Sequence, residues 1–131
     1  LEVLDLFAGV GTLGIEAMSR GASRVVFVEK NRRVFKVLKK NIDLFEPENS
    51  KLILMDVKKY LIQVKNQQFD IILADPPYSE VSFASVKDRA EHFLKPGGIF
   101  CMEMKKESID ESNVRVKHYG STQVVFWKSA E

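Results

Sequence analysis

The sequence has 131 residues, of which 45% are hydrophobic and 29% are charged. These values are typical of one globular domain and exclude a disordered chain, a collagen-like repeat and a coiled coil. The formal net charge of +2 is too small to indicate a polyanionic partner by itself. Because no apolar run approaches the ~20 residues of a membrane span and no signal peptide precedes the first strand, we expect a cytoplasmic protein without a membrane partner.

Strand and helix patterns alternate along the chain and predict an α/β domain with a parallel sheet. The predicted parallel strands are Leu1–Phe7, Arg24–Glu29, Lys51–Met55, Phe69–Ala74 and Ile99–Met104. Helices are predicted after the glycine-rich turn Ala8–Gly14, after Asn31, after Asp56, and from Phe83 to Leu94, the last being followed by a turn at Lys95–Gly98.

The C-terminal part of the chain follows a different pattern. Strands at Val114–Tyr119 and Thr122–Lys128 are separated only by Gly120 and Ser121, which is too short for a helical crossover. We therefore predict a single domain over residues 1–131, with a Rossmann-like, doubly wound, seven-stranded, mainly parallel sheet and a C-terminal antiparallel hairpin. The ligand crevice of such a fold lies at the carboxyl ends of the parallel strands.

The turn after the first strand carries the pattern Gly9-x-Gly11-x-x-Gly14 and opens a helix. Glycines in this setting let the backbone approach a nucleotide-like ligand, although they also serve tight strand–helix packing. Glu29 ends the second strand about twenty residues further on and can accept hydrogen bonds from ribose hydroxyls. The pattern is compatible with a dinucleotide and predicts that Gly11→Val would fill the space the ligand needs.

Two aspartates favour a different cofactor. Asp5 precedes the glycine turn by four residues, where its carboxylate could accept from a ligand ammonium. Asp56 can accept from the exocyclic amine of adenine, with the N–H of Val57 opposite a ring nitrogen, or it can simply cap the following helix. Ribose, adenine and an amino-acid group together describe S-adenosylmethionine.

The most specific feature is Asp75-Pro76-Pro77-Tyr78 at the end of the fourth strand. The Asp75 carboxylate and the Pro76 carbonyl could accept both protons of an exocyclic base amine, which would concentrate electron density on its nitrogen. The Tyr78 ring could stack on the base, and the prolines would fix the direction of the turn. Cys101, His92 and His118 lack metal-ligand spacing, so no metal site is expected.

The chain resembles the RsmD family of bacterial 16S rRNA guanine-N2 methyltransferases, which have the class I, S-adenosylmethionine-dependent fold. The resemblance rests on five segments, which are Leu4–Ala17, Ser19–Ala22, Val26–Lys30, Asp75–Tyr78 and His118–Thr122. It implies methyl transfer to a guanine N2 amine in small-subunit rRNA, within an assembled or assembling subunit. The family also implies a basic segment before the first strand, and because Leu1 is not an initiator Met we expect the natural N-terminus to lie upstream.

The candidate site residues divide into two groups. The predicted cofactor-binding residues are Asp5, Phe7, Ala8, Gly9, Gly11, Glu29, Lys30, Asp56 and Val57. The predicted catalytic residues are Asp75, Pro76, Pro77 and Tyr78. Val10 departs from the Ser or Thr that relatives often carry, which should weaken cofactor binding modestly.

Three alternatives remain open at this stage. One is a DNA or RNA adenine-N6 methyltransferase: the DNA enzymes also use Asp-Pro-Pro-Tyr, although they usually need a target-recognition insertion and the segments between motifs are short here. An NAD-dependent oxidoreductase fits the glycine turn and Glu29 but leaves Asp75–Tyr78 unexplained. A catalytically silent assembly factor is disfavoured by the intact Asp75 and Gly11.

Overall fold

The computed structural model describes residues 1–45, 47–77 and 81–131. Within these residues, seven strands form one sheet, namely β1 Glu2–Leu6, β2 Arg24–Glu29, β3 Ser50–Leu54, β4 Phe69–Ala74, β5 Leu94–Lys105, β6 Val114–Tyr119 and β7 Thr122–Lys128. The helices are α1 Thr12–Ser19, α2 Arg32–Asp43, α3 Val57–Gln63 and α4 Phe83–Ala90, with 3₁₀ turns at Pro47–Asn49 and Glu91–Phe93.

The strand order across the sheet is β3-β2-β1-β4-β5-β7-β6. The first five strands in the chain run parallel to one another, and β7 runs antiparallel to both β5 and β6. The order reverses between β1 and β4, which is the position at which doubly wound sheets open a ligand crevice. The predicted fold, including the C-terminal hairpin, is confirmed.

Helices cover both faces of the parallel part of the sheet. On one face, Val25 and Phe27 of β2 pack in the same cluster as Leu38 of α2. On the other face, Val26 of β2 belongs to the cluster that contains Tyr60 of α3. Alternate residues of a strand point to opposite faces, so strands buried on both sides are nearly continuous in hydrophobic residues. No helix in the described ranges has the length and apolarity needed to cross a membrane.

Polar caps determine where three of the helices begin. The side chains of Asn31, Asp56 and Ser82 accept hydrogen bonds from the backbone N–H three residues on, at 3.0, 3.2 and 3.1 Å. Each cap satisfies a backbone donor that the first helical turn leaves unpaired. The predicted caps of α2 and α3 are confirmed, and both lie at the carboxyl edge of the sheet.

The start of β5 differs from the prediction. Helix α4 ends at Ala90 rather than Leu94, and β5 begins at Leu94 rather than Ile99. The predicted turn at Lys95–Gly98 is present as an irregularity inside the strand, because Leu94 pairs with Phe69 whereas Ile99 pairs with Ile71.

An ion cluster holds the chain to the sheet before that irregularity. The ammonium of Lys95 contacts Glu2 at 2.9 Å and Asp70 at 3.2 Å, and Asp70 also accepts from the backbone N–H of Glu2 at 2.7 Å. These contacts connect β5 to β1 and β4 at the amino edge of the sheet. Contacts between residues so distant in sequence are not visible in a local turn pattern.

Candidate functional site

The turn between β1 and α1 has an unusual backbone conformation. Phe7, Gly9 and Gly11 have φ angles of 58°, 59° and 95°. Glycine adopts this region readily, whereas a residue such as Phe7 is strained there by of order 1 kcal/mol. Such strain persists only where surrounding contacts impose it. The turn therefore marks a position at the carboxyl edge of the sheet where the backbone is held in place.

Glu29 supplies one of those contacts from the end of β2. Its Oε1 accepts from the backbone N–H of Gly9 at 2.8 Å, and its Oε2 accepts from the N–H of Asn31 at 2.9 Å. The carboxylate thus connects the glycine turn to the N-terminus of α2. Each carboxylate oxygen has more than one acceptor position, so Glu29 can still accept from a ligand hydroxyl.

A cavity of about 470 Å³, here called the turn cavity, lies against the glycine turn. Its volume is within the usual range for small-molecule sites. Its lining includes eight of the nine predicted cofactor-binding residues, Asp5, Phe7, Ala8, Gly9, Glu29, Lys30, Asp56 and Val57, and two of the predicted catalytic residues, Asp75 and Pro77. The tertiary structure therefore brings together residues that are separated by up to 72 positions in the sequence.

Gly11 does not line the turn cavity, so its assignment to the cofactor site stays a prediction. A Cβ atom at Gly11 would lie 2.7 Å from Leu38 Cδ1 and 3.1 Å from Ile15 Cδ1, whereas at Gly9 it would meet nothing within 4 Å. Gly11 therefore permits the positive φ and the close packing of α1 and α2. A larger side chain at Gly11 would disturb this packing first rather than fill the ligand space.

Asp5 lies beneath the turn and is 1% exposed. Its Oδ2 accepts from the backbone N–H of Gly14 at 3.0 Å, so it anchors the first turn of α1. Burial raises the pKa of Asp5 to about 7, against the effect of the Gly14 hydrogen bond. Contact with a ligand ammonium stays a prediction, and such a cation would favour the ionised carboxylate.

A second cavity of about 350 Å³, the helix-side cavity, adjoins the first between α3 and α4. It shares Phe7, Lys30, Asp56, Val57 and Pro77 with the turn cavity. The Asp56 carboxylate caps α3, and Val57 is buried beside it. A planar apolar group with an exocyclic amine would find both an apolar wall and an acceptor here, so the adenine contact proposed for Asp56 is compatible with its capping role.

Asp75 follows β4 directly and lines two cavities. One is the turn cavity, and the other is a cavity of about 320 Å³, the strand-end cavity, which also contains Pro76, Pro77 and Glu103. The Asp75 side chain is accessible to solvent. Tyr78, the fourth predicted catalytic residue, lies outside the residues that the structure describes. Asp75 is thus positioned between a cofactor-sized cavity and a separate space for a second molecule.

Glu103 is a site residue that the sequence reasoning missed. It lies on β5, beside Asp75, and both side chains line the strand-end cavity. Partial burial, followed by the negative charge of the neighbouring Glu103, raises the pKa of Asp75 to about 6. The sequence offered one signal for Glu103, namely an acidic residue near the end of an apolar strand. Because the carboxyl ends of neighbouring parallel strands lie side by side, such a residue is placed near the site.

The surroundings of Cys101 do not favour a reactive thiol. Burial, together with the negative charge of Glu103, raises the pKa of its thiol to about 11, which makes it a poor nucleophile at neutral pH. Among the described residues, no group of three or more His, Cys, Asp or Glu side chains is placed to hold a metal ion.

Comparison with known proteins identifies a family for this chain. The sequence profile of the family described as Conserved hypothetical protein 95, which is the RsmD family, matches residues 1–128. The chain belongs to the RsmD family. The resemblance identified from the five sequence segments is confirmed.

Two curated relatives of this RsmD-family chain are named ribosomal RNA small subunit methyltransferase D. The Buchnera aphidicola protein is 35% identical over 109 residues, covering 81% of this chain and 57% of the relative. The Haemophilus influenzae protein is 35% identical over 111 residues, covering 81% of this chain and 58% of the relative. The chain therefore spans somewhat over half the length of these relatives.

A solved structure supports the same relationship. The structure superposes on that of a Haemophilus influenzae protein described as a methylase by inference, with a TM-score of 0.87 and 31% sequence identity. The match covers 99% of this chain and 80% of that one. The RsmD-family chain therefore has the class I methyltransferase fold.

Proposed function

We propose that this chain is the catalytic part of an S-adenosylmethionine-dependent enzyme that methylates the exocyclic N2 amine of a guanine in small-subunit rRNA. The observation that carries the proposal is the position of Asp75, which lines both the turn cavity and the strand-end cavity. Methyl transfer requires a donor and an acceptor to meet at one point. The names of the two curated relatives supply the RNA substrate class.

The turn cavity suits the three chemical parts of the cofactor. Gly9 presents backbone with open space where a Cβ would stand, Glu29 offers acceptors for ribose hydroxyls, and Asp5 lies beneath the turn as an acceptor for an ammonium. Asp56 and Val57 would hold adenine at the junction with the helix-side cavity. When bound, S-adenosylmethionine would supply an electrophilic methyl group on a sulfonium.

Asp75 and Pro76 would act on the base amine. A guanine N2 amine is a weak nucleophile because its lone pair is delocalised into the ring. The Asp75 carboxylate and the Pro76 carbonyl would accept its two N–H bonds, orient the amine and raise the electron density on nitrogen. As nitrogen bonded to the methyl carbon, the bond from that carbon to the sulfonium sulfur would break, and the amine would lose one proton. With a pKa of about 6, Asp75 can accept this proton and release it to water.

Tyr78 completes the proposed site as a stacking surface for the base. The prediction depends on sequence order alone, since Tyr78 directly follows Pro77 and lies outside the described residues. An aromatic side chain next to the amine acceptors would hold the base in a plane that faces the methyl group. The two prolines restrict the backbone that leads to it.

A tritiated-methyl transfer assay tests the proposed function. Naked small-subunit rRNA, assembled small subunits and DNA are each incubated with the protein and labelled S-adenosylmethionine. We expect label in RNA, with the assembled or partly assembled subunit as the best substrate, and N2-methylguanosine after nuclease digestion. Label in DNA or in N6-methyladenosine would contradict the proposal.

Calorimetry separates the proposal from an oxidoreductase. We expect S-adenosylhomocysteine to bind in the turn cavity and NAD to show no binding at the same concentrations. NAD binding without S-adenosylhomocysteine binding would overturn the choice of cofactor, because the two ligands make different demands on Asp5 and Asp56.

A further inference from the structure

Glu103 and Asp75 lie level with each other where the pairing of two neighbouring strands, β4 and β5, ends. In the parallel pairing of β4 and β5, Leu73 lies opposite Cys101 and Ala74 lies opposite Met102. Asp75 and Glu103 each come one residue after these pairs, so the two side chains lie beside each other, and the negative charge of Glu103 helps to raise the pKa of Asp75. Both line the strand-end cavity, but only Asp75 also lines the turn cavity. Glu103 is therefore placed on the side of Asp75 that is remote from the cofactor.

The charge around this pair favours a ligand that donates hydrogen bonds. Lys105 and Glu107 also line the strand-end cavity, but no ion pair between described residues neutralises Glu103. Two adjacent carboxyl groups without a cation can approach only by sharing a proton. A ligand edge with neighbouring N–H donors would satisfy both groups while they are ionised.

We propose that Glu103 determines base specificity by accepting the N1–H of the target guanine while Asp75 accepts from its N2 amine. The inference rests on the proposed function and deepens it. Guanine presents donors at N1 and N2 side by side. In 2-aminopurine and in adenine, the exocyclic amine adjoins an unprotonated N1 that can only accept. A carboxylate facing that nitrogen gains no hydrogen bond and is repelled by its lone pair, so the pair selects guanine.

Replacing Glu103 by Gln tests this role directly. The guanine that the wild type methylates is replaced by 2-aminopurine in the same RNA, and initial rates are compared. We expect the wild type to prefer guanine by roughly 10- to 100-fold, the range of one good pair of base contacts. Glu103→Gln should reduce this preference to about threefold or less, since an amide can donate to an unprotonated N1 or accept from N1–H.

Two further variants control the comparison. Glu107→Gln removes a carboxylate from the rim of the same cavity and should keep the wild-type preference. Glu103→Asp keeps the charge but shortens the side chain, so it should methylate guanine more slowly while still discriminating against 2-aminopurine. Affinity for S-adenosylhomocysteine should be unchanged in all three variants, because Glu103 and Glu107 do not line the turn cavity.

Equilibrium binding gives a readout that does not depend on methyl transfer. The protein saturated with S-adenosylhomocysteine is titrated with the guanine and 2-aminopurine RNAs. The inference would be supported if the wild type bound guanine RNA more tightly than 2-aminopurine RNA and Glu103→Gln lost this preference. An unchanged preference in Glu103→Gln would overturn it. A wild type that methylates no RNA would instead overturn the proposed function, and the role of Glu103 would fall with it.

Discussion

Asp75 is the residue on which the proposed chemistry depends most. Replacing it by Ala should lower the rate of methyl transfer by a factor of roughly a hundred or more, because its hydrogen bonds to the amine matter most in the transition state. Affinity for S-adenosylhomocysteine should change little. Single-turnover assays and calorimetry check the two expectations, with Asp110→Ala as an exposed control. Wild-type turnover in Asp75→Ala would contradict the assigned role.

Asp5 should make stability depend on pH in a characteristic direction. Its pKa is about 7 in the folded protein against an ordinary value of 3.8, so the folded state binds more protons between these values. The contribution of the Asp5 carboxyl to the free energy of unfolding is fully present below about pH 4 and is lost as the pH rises through about 7. The loss amounts to as much as about 4 kcal/mol, at ~1.4 kcal/mol per pKa unit.

The variant Asp5→Asn isolates that contribution. Its amide oxygen can still accept from the Gly14 N–H, but it does not ionise. The free energy of unfolding of Asp5→Asn minus that of the wild type should therefore rise between pH 4 and pH 7 and level off above. Urea denaturation across this range measures the difference. A difference that does not vary with pH would show that Asp5 titrates normally in the folded protein.

At the scale of elements, the β1–α1 turn combines two glycines with different tasks. Gly11→Ala would place a Cβ at 2.7 Å from Leu38 and keep a φ of +95°, so we expect a loss of about 1–3 kcal/mol of stability. Gly9→Ala would project into open space, so it should cost about 1 kcal/mol in stability while lowering S-adenosylhomocysteine affinity by roughly tenfold or more.

Denaturation and calorimetry on both variants distinguish these tasks. If Gly11→Ala kept full stability but no longer bound the ligand, Gly11 would belong to the ligand surface after all. If Gly9→Ala bound S-adenosylhomocysteine normally, the ligand would not approach the turn at this position. The pair therefore tests the location of the cofactor as well as the packing of α1.

The carboxyl ends of the strands form the element-level basis of the site. β1, β2 and β4 each end in a residue or turn that lines the turn cavity, and β5 adds Glu103 near its own end. Helix caps at Asn31 and Asp56 fix the backbone that follows two of these strands. Side chains on such short, anchored segments need little reordering when ligands bind.

At the scale of the whole chain, the net charge is too small to indicate an RNA-binding surface by itself. The net charge is +2, and Lys36, Lys39 and Lys40 are exposed on α2. We interpret that basic face as an ordinary solvated helix surface. The triple variant with Gln at these positions should therefore methylate RNA within about twofold of the wild-type rate at physiological salt.

The salt dependence of RNA binding tests whether the α2 lysines contact phosphates. If α2 bound phosphates, the triple variant would bind RNA more weakly. The slope of log affinity against log salt would then become shallower by about 0.9 for each duplex phosphate that the lysines neutralise in the wild type. An unchanged slope would show that the α2 lysines do not bind RNA phosphates, so that the RNA is recognised by the site itself and by other parts of the protein or the subunit.

The order of elements and most of the candidate site could be read from local patterns. Alternating strands and helices, the glycine turn, the caps at Asn31 and Asp56 and the hairpin at Gly120 all depend on neighbouring residues, so the sequence alone determined them. Family resemblance added the methyltransferase interpretation. Of the predicted cofactor-binding residues, all but Gly11 line the turn cavity.

Only the tertiary structure decided the remaining features, because each depends on residues distant in the chain. A Cβ at Gly11 would lie too close to Leu38 of α2, and β5 joins the sheet from Leu94, where Lys95 contacts Glu2 and Asp70. Glu103 meets Asp75 because β5 pairs with β4 in a register that no local pattern specifies. Burial and proximity set both the pKa of a carboxyl and its role, and these are properties of the folded chain.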